Sequence, residues 1–184
     1  MTVLVTAASR HGSTDEIARI VAGVLDDSGF DAQIRTPDDV SSVDRYEAVV
    51  IGSAVYMGRW LEPARGFVER FWPQLSERPV WLFSSGPLGE PARPDGDADD
   101  VETMRTITGA LDHRTFSGRL VRSDLGFGER LIVKGVGAAY GDFRPWAEIA
   151  DWANGIALEL RTPTKGRGRL TWGVDARPPA GRPT

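Results

Sequence analysis

The sequence contains no cysteine and only two histidines, His11 and His113, among its 184 residues. Without thiols the chain has no disulfide, no thiolate metal ligand and no cysteine nucleophile. Two isolated histidines do not make a metal centre, and no grouping of Ser, His and Asp stands out as a catalytic triad. We therefore expect no metal site.

The sequence also lacks long apolar runs. No stretch approaches the roughly 20 residues that a membrane-spanning helix needs, and the chain begins with a strand-like segment rather than a signal peptide. Apolar residues make up 41% of the chain and charged residues 26%, which is ordinary for one globular domain. These features predict a cytoplasmic protein.

Positive charge is scarce except at the carboxyl end. Residues 161–184 hold six Lys or Arg against one Asp, whereas the preceding residues hold 16 basic and 25 acidic side chains. The acidic body argues against a nucleic-acid partner. We interpret 1–161 as the domain and 162–184 as a poorly ordered extension rich in Pro and Gly; binding of this tail to anionic lipid or nucleic acid is the less favoured alternative.

Strand-like and helix-like segments alternate along the body. Helices are predicted from apolar residues at helical spacing that follow Thr14, Pro63, Val101 and Pro145. This alternation predicts an α/β fold with a parallel sheet, right-handed crossovers and helices on both faces. The predicted strands are Val3–Ala8, Asp31–Thr36, Tyr46–Ser53, Pro79–Ser84 and Arg114–Val121.

A loop rich in hydroxyl groups joins the first strand to the first helix. Its N–H groups lie at the positive end of the helix, where a phosphate binds well. It has neither the lysine of a P-loop nor the three glycines of a dinucleotide-binding loop, which favours a monophosphate ester. The alternative is an ordinary capping box between Ser13 and Glu16. The loop residues are Ser9, Arg10, His11, Gly12, Ser13 and Thr14.

Two further loops follow the third and fourth strands. Because the carboxyl ends of parallel strands share one edge of the sheet, both loops should meet the phosphate loop. The first combines small residues with an aromatic and a thioether, which suits the rim of a flat ring, although Tyr56 and Trp60 could instead simply cover the sheet. The predicted ring-binding residues are Ser53, Ala54, Val55, Tyr56, Met57 and Gly58, then Ser84, Ser85, Gly86, Pro87, Leu88 and Gly89.

The phosphate loop resembles the signature of flavodoxins, with Ser9, Gly12 and Thr14 at matching positions. His11 replaces the usual middle threonine, which brings the chain closer to the branch that contains the quinone-dependent protoporphyrinogen dehydrogenases. The likeness covers about residues 2–160. It is also carried by Ile51-Gly52-Ser53-Ala54-Val55-Tyr56-Met57-Gly58, by Phe116-Ser117-Gly118-Arg119-Leu120 and by Gly141-Asp142-Phe143-Arg144-Pro145-Trp146.

This resemblance implies a flavodoxin-like three-layer α/β/α sandwich whose five-stranded parallel sheet has the order 2-1-3-4-5. It implies FMN as the cofactor, with redox chemistry at N5 of the flavin and a small-molecule substrate or quinone as partner. A single phosphate site favours FMN over FAD. We therefore predict an FMN-dependent oxidoreductase. The alternatives are an electron carrier that docks to a redox partner protein, which the acidic body suits, and a binding module that has lost FMN.

Family members of that branch carry an insertion in the last strand region, and residues 122–140 resemble it. The segment mixes apolar residues with Arg122, Arg130 and Lys134 in a weak amphipathic pattern. Such a segment suits weak peripheral contact with a membrane or a lipophilic quinone. Because three glycines interrupt it, an ordinary surface segment fits equally well.

Overall fold

The computed structural model describes residues 1–86, 100–121 and 140–162. The predicted loop residues Pro87, Leu88 and Gly89, nearly all of the 122–140 segment and the tail from 163 onward lie outside these ranges. What the sequence predicts for them stays a prediction.

Strands and helices alternate through the described residues. Seven-residue and nine-residue strands lie at the centre of the sheet, where both faces are covered and the apolar runs are longest. The strands are β1 (Thr2–Ala8), β2 (Asp31–Arg35), β3 (Ala48–Tyr56), β4 (Arg59–Trp60), β5 (Val80–Ser85), β6 (Asp112–Phe116), β7 (Arg119–Leu120) and β8 (Gly141–Asp142). The helices are α1 (Ser13–Asp27), α2 (Glu62–Leu75), α3 (Val101–Thr108) and α4 (Trp146–Arg161), with a 3₁₀ turn at Pro37–Asp39.

The main sheet is parallel and has the order β2-β1-β3-β5-β6. Counted along its five principal strands, this is the predicted order 2-1-3-4-5, so the prediction of the fold is confirmed. Register brings Ala8, Ser53 and Ser84 side by side on β1, β3 and β5. The segments that leave these three strands therefore start from one edge of the sheet.

Helices cover both faces of the sheet. α1 and α4 cover one face, where Val5, Val50 and Phe83 are fully buried, and α2 and α3 cover the other, where Leu4, Ile51 and Leu82 are fully buried. Burial of this much apolar surface is the main source of stability. No helix in the described part of the chain is long and apolar enough to cross a membrane.

Gly52 gives β3 the space that a neighbouring ring requires. A Cβ added at this glycine would lie 2.0 Å from Cζ of Phe83 on β5. The ring of Phe83 therefore packs directly over the backbone of β3, and it contacts Phe116 and Trp152 with centroids 6.3 Å and 6.0 Å away. Any larger residue at position 52 would push this ring out of the core.

Two predicted strand ends differ from the structure. β3 runs on to Tyr56, three residues beyond the predicted end at Ser53, so Ala54, Val55 and Tyr56 are strand rather than loop. The strand predicted from Arg114 to Val121 is divided into β6 and β7, because Ser117 and Gly118 leave the main sheet. β7 then pairs antiparallel with β8 in a separate two-stranded sheet.

Three apolar side chains that continue the helical spacing in the sequence lie outside the buried faces. Ile20 on α1, Trp72 on α2 and Trp146 on α4 are 38%, 44% and 39% exposed. On α4 the buried indole is that of Trp152, whose Nε1–H donates to Asp112 at 2.9 Å. Periodicity locates a helix, but the choice between adjacent aromatic residues depends on the partner strand.

Candidate functional site

The loop between β1 and α1 curves over the start of the helix. Gly12 has a φ of +77°, in the left-handed region that favours glycine, and its carbonyl accepts a hydrogen bond from the N–H of Glu16 at 3.1 Å. The hydroxyl of Ser9 accepts from the N–H of Thr14 at 3.3 Å. A Cβ added at Gly12 would meet no atom within 4 Å, so the space beside this residue is open.

The side chains of Ser13 and Glu16 do not form the capping box that the sequence offers as an alternative. Gly12 is the cap residue, and no side chain caps the helix there. The hydroxyl of Ser13 instead accepts a hydrogen bond from the N–H of Arg119 on β7 at 3.1 Å. Glu16 pairs with the guanidinium groups of Arg119 at 3.3 Å and Arg144 at 2.7 Å. Both residues thus fix α1 to the β7–β8 sheet.

Arg144, which follows β8, is the centre of this contact. Its side chain is 2% exposed and donates to both carboxylate oxygens of Asp142, at 2.7 Å and 2.6 Å. The guanidinium also lies 4.2 Å from the ring centroid of Trp146. A buried cation held by two carboxylates and an indole face is fully compensated, and such bidentate pairs are geometrically rigid.

The charges of the network shift the pKa values of its members. Hydrogen bonds to Arg144 lower the pKa of Asp142, although partial burial acts in the opposite direction. The same contacts, with those to Glu16, raise the pKa of Arg144. Asp15, on the first turn of α1, differs: burial raises its pKa, Arg19 opposes the shift and the charge of Glu16 adds to it.

The segment that follows β3 is a tight hairpin rather than an open loop. Val55 and Tyr56 pair with Trp60 and Arg59, so only Met57 and Gly58 form the turn. Their φ angles are +51° and +76°, the pattern of a type I′ turn. Met57 is 99% exposed at the tip.

The two residues expected to face a flat ring therefore differ in their surroundings. Tyr56 is half-buried, and the guanidinium of Arg10 lies 5.1 Å from its ring centroid. This contact links the hairpin to the phosphate loop. Met57 has no such packing. Ala54 is buried within β3 and Val55 packs against the α2 and α3 face, so both are primarily core residues.

Hydrogen bonds that are wholly or partly buried anchor the hairpin to the sheet and to the start of α3. The hydroxyl of Ser53 accepts from the N–H of Leu61 at 2.9 Å, and the carboxylate of Asp100 accepts from the N–H of Trp60 at 3.2 Å. The indole of Trp60 is 2% exposed and donates to the hydroxyl of Ser84, which also lies 2.9 Å from Nε2 of His113. Ser53 and Ser84 thus act here as structural acceptors.

The third predicted loop begins as expected after β5. Gly86 has a φ of +103°, and its N–H donates to the carbonyl of Phe116 at 2.9 Å. A Cβ added at this glycine would lie 3.7 Å from the carbonyl oxygen of Val55. Ser85 is buried at the end of the strand. Gly86 therefore lies beside both the β3 hairpin and the end of β6.

Comparison with known proteins agrees with this architecture. The family model of the flavodoxin domain matches residues 4–142, which is most of the chain. The chain belongs to the flavodoxin domain family. A comparison with curated protein sequences gave no match.

Solved structures similar to this flavodoxin domain include a flavodoxin from the domain Archaea, with 16% identity, a TM-score of 0.60, and coverage of 88% of this chain and 100% of the other. A flavodoxin from Pseudomonas aeruginosa has 15% identity and a TM-score of 0.61, with coverage of 88% of this chain and 100% of the other. The rubredoxin oxygen:oxidoreductase of Desulfovibrio gigas has 16% identity and a TM-score of 0.59. The match covers 86% of this chain but only 36% of the oxidoreductase chain. At these identities the likeness shows the fold.

FMN is the cofactor of flavodoxin domains and hence of this one. The residues present fit it: the loop at the start of α1 has a left-handed glycine, open space beside it and hydroxyl groups from Ser9 and Ser13 in the same turn. A dianionic phosphate suits such a helix start. The hydroxyl of Ser13 accepts a hydrogen bond from the N–H of Arg119, which leaves its own O–H as a donor for an anion.

The sequence did not identify Arg119, Arg144 or Asp100 as contributors to the site of this flavodoxin domain. Arg119 and Arg144 fall within the segments that carry the family resemblance, but nothing local links them to α1. In the sequence, Asp100 belongs to an acidic stretch that indicates a solvated loop. In the structure its carboxylate accepts a hydrogen bond from the backbone N–H of Trp60 and lies 3.8 Å from Nε of Arg65. A local pattern cannot show these long-range pairs.

Proposed function

We propose that this chain is an FMN-dependent oxidoreductase of the flavodoxin fold that acts on a small substrate, in the manner of protoporphyrinogen or quinone dehydrogenases. Bound FMN supplies redox chemistry at its ring, and the protein supplies binding, orientation and electrostatics. The proposal depends mainly on one observation: in the described residues of the three loops around the expected ring position, aromatic side chains are sparse.

The phosphate is proposed to bind at Ser9–Thr14. The helix start supplies backbone N–H donors and a positive dipole end, and the left-handed Gly12 lets the ligand approach the backbone. The hydroxyl of Thr14 is buried at the first turn, and that of Ser9 lies across the loop from it. Arg10 and His11 stand beside this turn and would add positive or polar character.

The ring is proposed to lie between the β3–β4 hairpin and the end of β5. In the described parts of the three loops, Tyr56 is the single aromatic residue apart from the buried Trp60. The guanidinium of Arg10 packs on the ring of Tyr56. Met57 is 99% exposed at the tip of the hairpin and adds no aromatic side chain there. We propose that the face of the flavin on this side is uncovered. An uncovered flavin face suits an enzyme that must admit a substrate, whereas a carrier is better served by a shielded one.

One observation favours the alternative of a one-electron carrier. The structural match covers the whole chain of a flavodoxin that consists of this domain alone, that of Pseudomonas aeruginosa, and is not limited to one domain of a larger enzyme. Its acidic body would suit a basic redox partner protein.

The end of α4 at Arg161 supports our division into a domain, 1–161, and an extension, 162–184.

The experiment begins with purified protein, from which any yellow chromophore is released and identified by mass spectrometry. The FMN-loaded protein is then offered protoporphyrinogen with a quinone, and separately a ferredoxin-type reductase with its own electron donor. Turnover of the small substrate supports the enzyme. Electron exchange with the reductase alone supports the carrier, and absence of FMN binding contradicts both.

A further inference from the structure

A buried arginine connects the phosphate loop to a part of the chain that is far away in sequence. Arg144 donates to Oε2 of Glu16 at 2.7 Å, and its Nη1 lies 3.4 Å from the carbonyl oxygen of Ser13. Both partners are on the first turn of α1, where Ser13 belongs to the proposed phosphate loop and Glu16 follows it. Asp142 holds the other side of the guanidinium with two short hydrogen bonds. The orientation of Arg144 is thereby fixed.

The carboxylate of Glu16 is an unexpected neighbour for a phosphate. It lies in the helical turn whose positive end should attract the anion, and a free carboxylate there would repel a dianion and compete for the same dipole. In the structure its two oxygens are turned to guanidinium groups, Oε1 to Arg119 at 3.3 Å and Oε2 to Arg144 at 2.7 Å. Its negative charge is compensated within the β7–β8 contact.

We propose that Arg144 is a positioning residue for the phosphate of FMN. It acts through Glu16, whose carboxylate it holds against the β7–β8 sheet and away from the loop, and through the backbone of Ser13. Arg144 itself does not touch the cofactor. The inference rests on the proposed placement of the phosphate at Ser9–Thr14.

Substitution of the full chain with Arg144→Met provides the test. Kd values for FMN and for riboflavin, which lacks the phosphate, are measured by quenching of flavin fluorescence on binding to apoprotein. We expect the Kd for FMN to rise about tenfold or more, because Glu16 then keeps only its longer contact with Arg119 and its carboxylate is no longer held away from the phosphate, while the Kd for riboflavin stays within about twofold. Adding Glu16→Gln to Arg144→Met should recover most of the lost FMN affinity.

Arg78→Met is the matched control, since Arg78 also donates several hydrogen bonds, to the carbonyls of Val43, Gln74 and Tyr46, but far from the loop. It should leave the ratio of the two Kd values unchanged. If Arg144→Met does not fold, Arg119→Met provides a milder form of the same test, with a smaller loss confined to FMN.

Three outcomes would overturn the inference: an unchanged FMN affinity in the variant, an equal loss for FMN and riboflavin, or no recovery in the double variant. Failure of the proposed phosphate site, on which the proposed function depends, gives a different result. In that case the parent protein itself would not prefer FMN over riboflavin, whatever the residue at position 144.

Discussion

The indole Nε1 of Trp60 lies 2.8 Å from the hydroxyl oxygen of Ser84, and both residues are buried. This hydrogen bond joins the β3–β4 hairpin to β5 at the edge of the sheet where the proposed flavin site lies. Ser84→Ala removes the acceptor and leaves a buried N–H unpaired, at a cost of about 1–3 kcal/mol. The free energy of unfolding in urea should fall by this amount. Ser42→Ala, at an exposed serine that bonds Asp44, serves as control; equal stability of both variants would contradict the argument.

Ser9 and Thr14 provide the prediction for the phosphate. The double substitution Ser9→Ala and Thr14→Val removes two hydroxyl donors to a charged group, each worth roughly 1.5–3 kcal/mol, so FMN affinity should fall by an order of magnitude or more. Fluorescence titration measures it. Thr14→Ser retains the hydroxyl and should bind FMN nearly as the parent does. Unchanged affinity in the double variant would place the phosphate elsewhere.

Tyr56 is predicted to border the flavin ring. Tyr56→Ala should shift the absorption bands of bound FMN and slow turnover more than it weakens FMN binding, because the phosphate contacts remain. Tyr56→Phe keeps the ring that packs under Arg10 and should resemble the parent. A spectrum that stays the same in Tyr56→Ala, with only a lower melting temperature, would show that the residue is purely structural.

The hairpin turn offers a test of backbone strain. Met57 has a φ of +51°, which a methionine adopts at a cost of roughly 1 kcal/mol and an asparagine adopts readily. Met57→Asn creates the favoured Asn-Gly turn and should raise the urea midpoint. Met57→Val, with a β-branched side chain, should lower it. The reverse order of the two midpoints would argue against a type I′ turn.

Stability should depend on pH through Asp142. Because Arg144 holds the pKa of Asp142 below its unfolded value of about 3.9, this carboxylate contributes stability above that pH and loses it as the pH falls through the folded pKa. Asp142→Asn lacks the contribution, so its unfolding free energy should decline less steeply below about pH 4. Urea unfolding followed by circular dichroism from pH 3 to pH 7 measures both curves.

Asp15 is a useful comparison because its shift has the opposite sign. Burial raises its pKa, so ionisation of Asp15 disfavours the folded state as the pH rises through the unfolded and then the folded pKa. Asp15→Asn should therefore be more stable than the parent at neutral pH, and the difference should shrink in acid. Parallel curves for parent, Asp142→Asn and Asp15→Asn would contradict both assignments.

The fold could be predicted from the sequence because its elements have strong local patterns. The apolar run of β1, the hydroxyl-rich loop and the helical spacing of Ile17, Val21 and Leu25 all indicate one βα unit, and those three side chains are fully buried. The sequence does not predict the last residues of β3, Ala54 to Tyr56, because the small residues Gly52, Ser53 and Ala54 favour strands weakly and indicate a strand end. Pairing with β5 extends the strand through Ala54, and pairing with β4 extends it through Val55 and Tyr56.

The site could be predicted only in part, since its supporting contacts join distant segments. Ser13 and Glu16 satisfy a local capping pattern, but Arg119 and Arg144 supply stronger charged partners from the β7–β8 sheet. Met57-Gly58 gives no familiar turn signal, because Asn-Gly or Asp-Gly is the usual one. Only the three-dimensional packing shows that both features lie next to the phosphate loop.

The pairing of α1 with α4 on one face of the sheet has a consequence for synthesis on the ribosome. α1 is made early, whereas α4 ends at Arg161, so half of that face has no helical cover until nearly the whole domain has been translated. Trp81, Phe83 and Phe116 stay accessible to solvent and chaperones during this interval. Ribosome-stalled chains that lack α4 should accordingly bind hydrophobic dyes and trigger factor-like holdases, and release should coincide with emergence of the last helix.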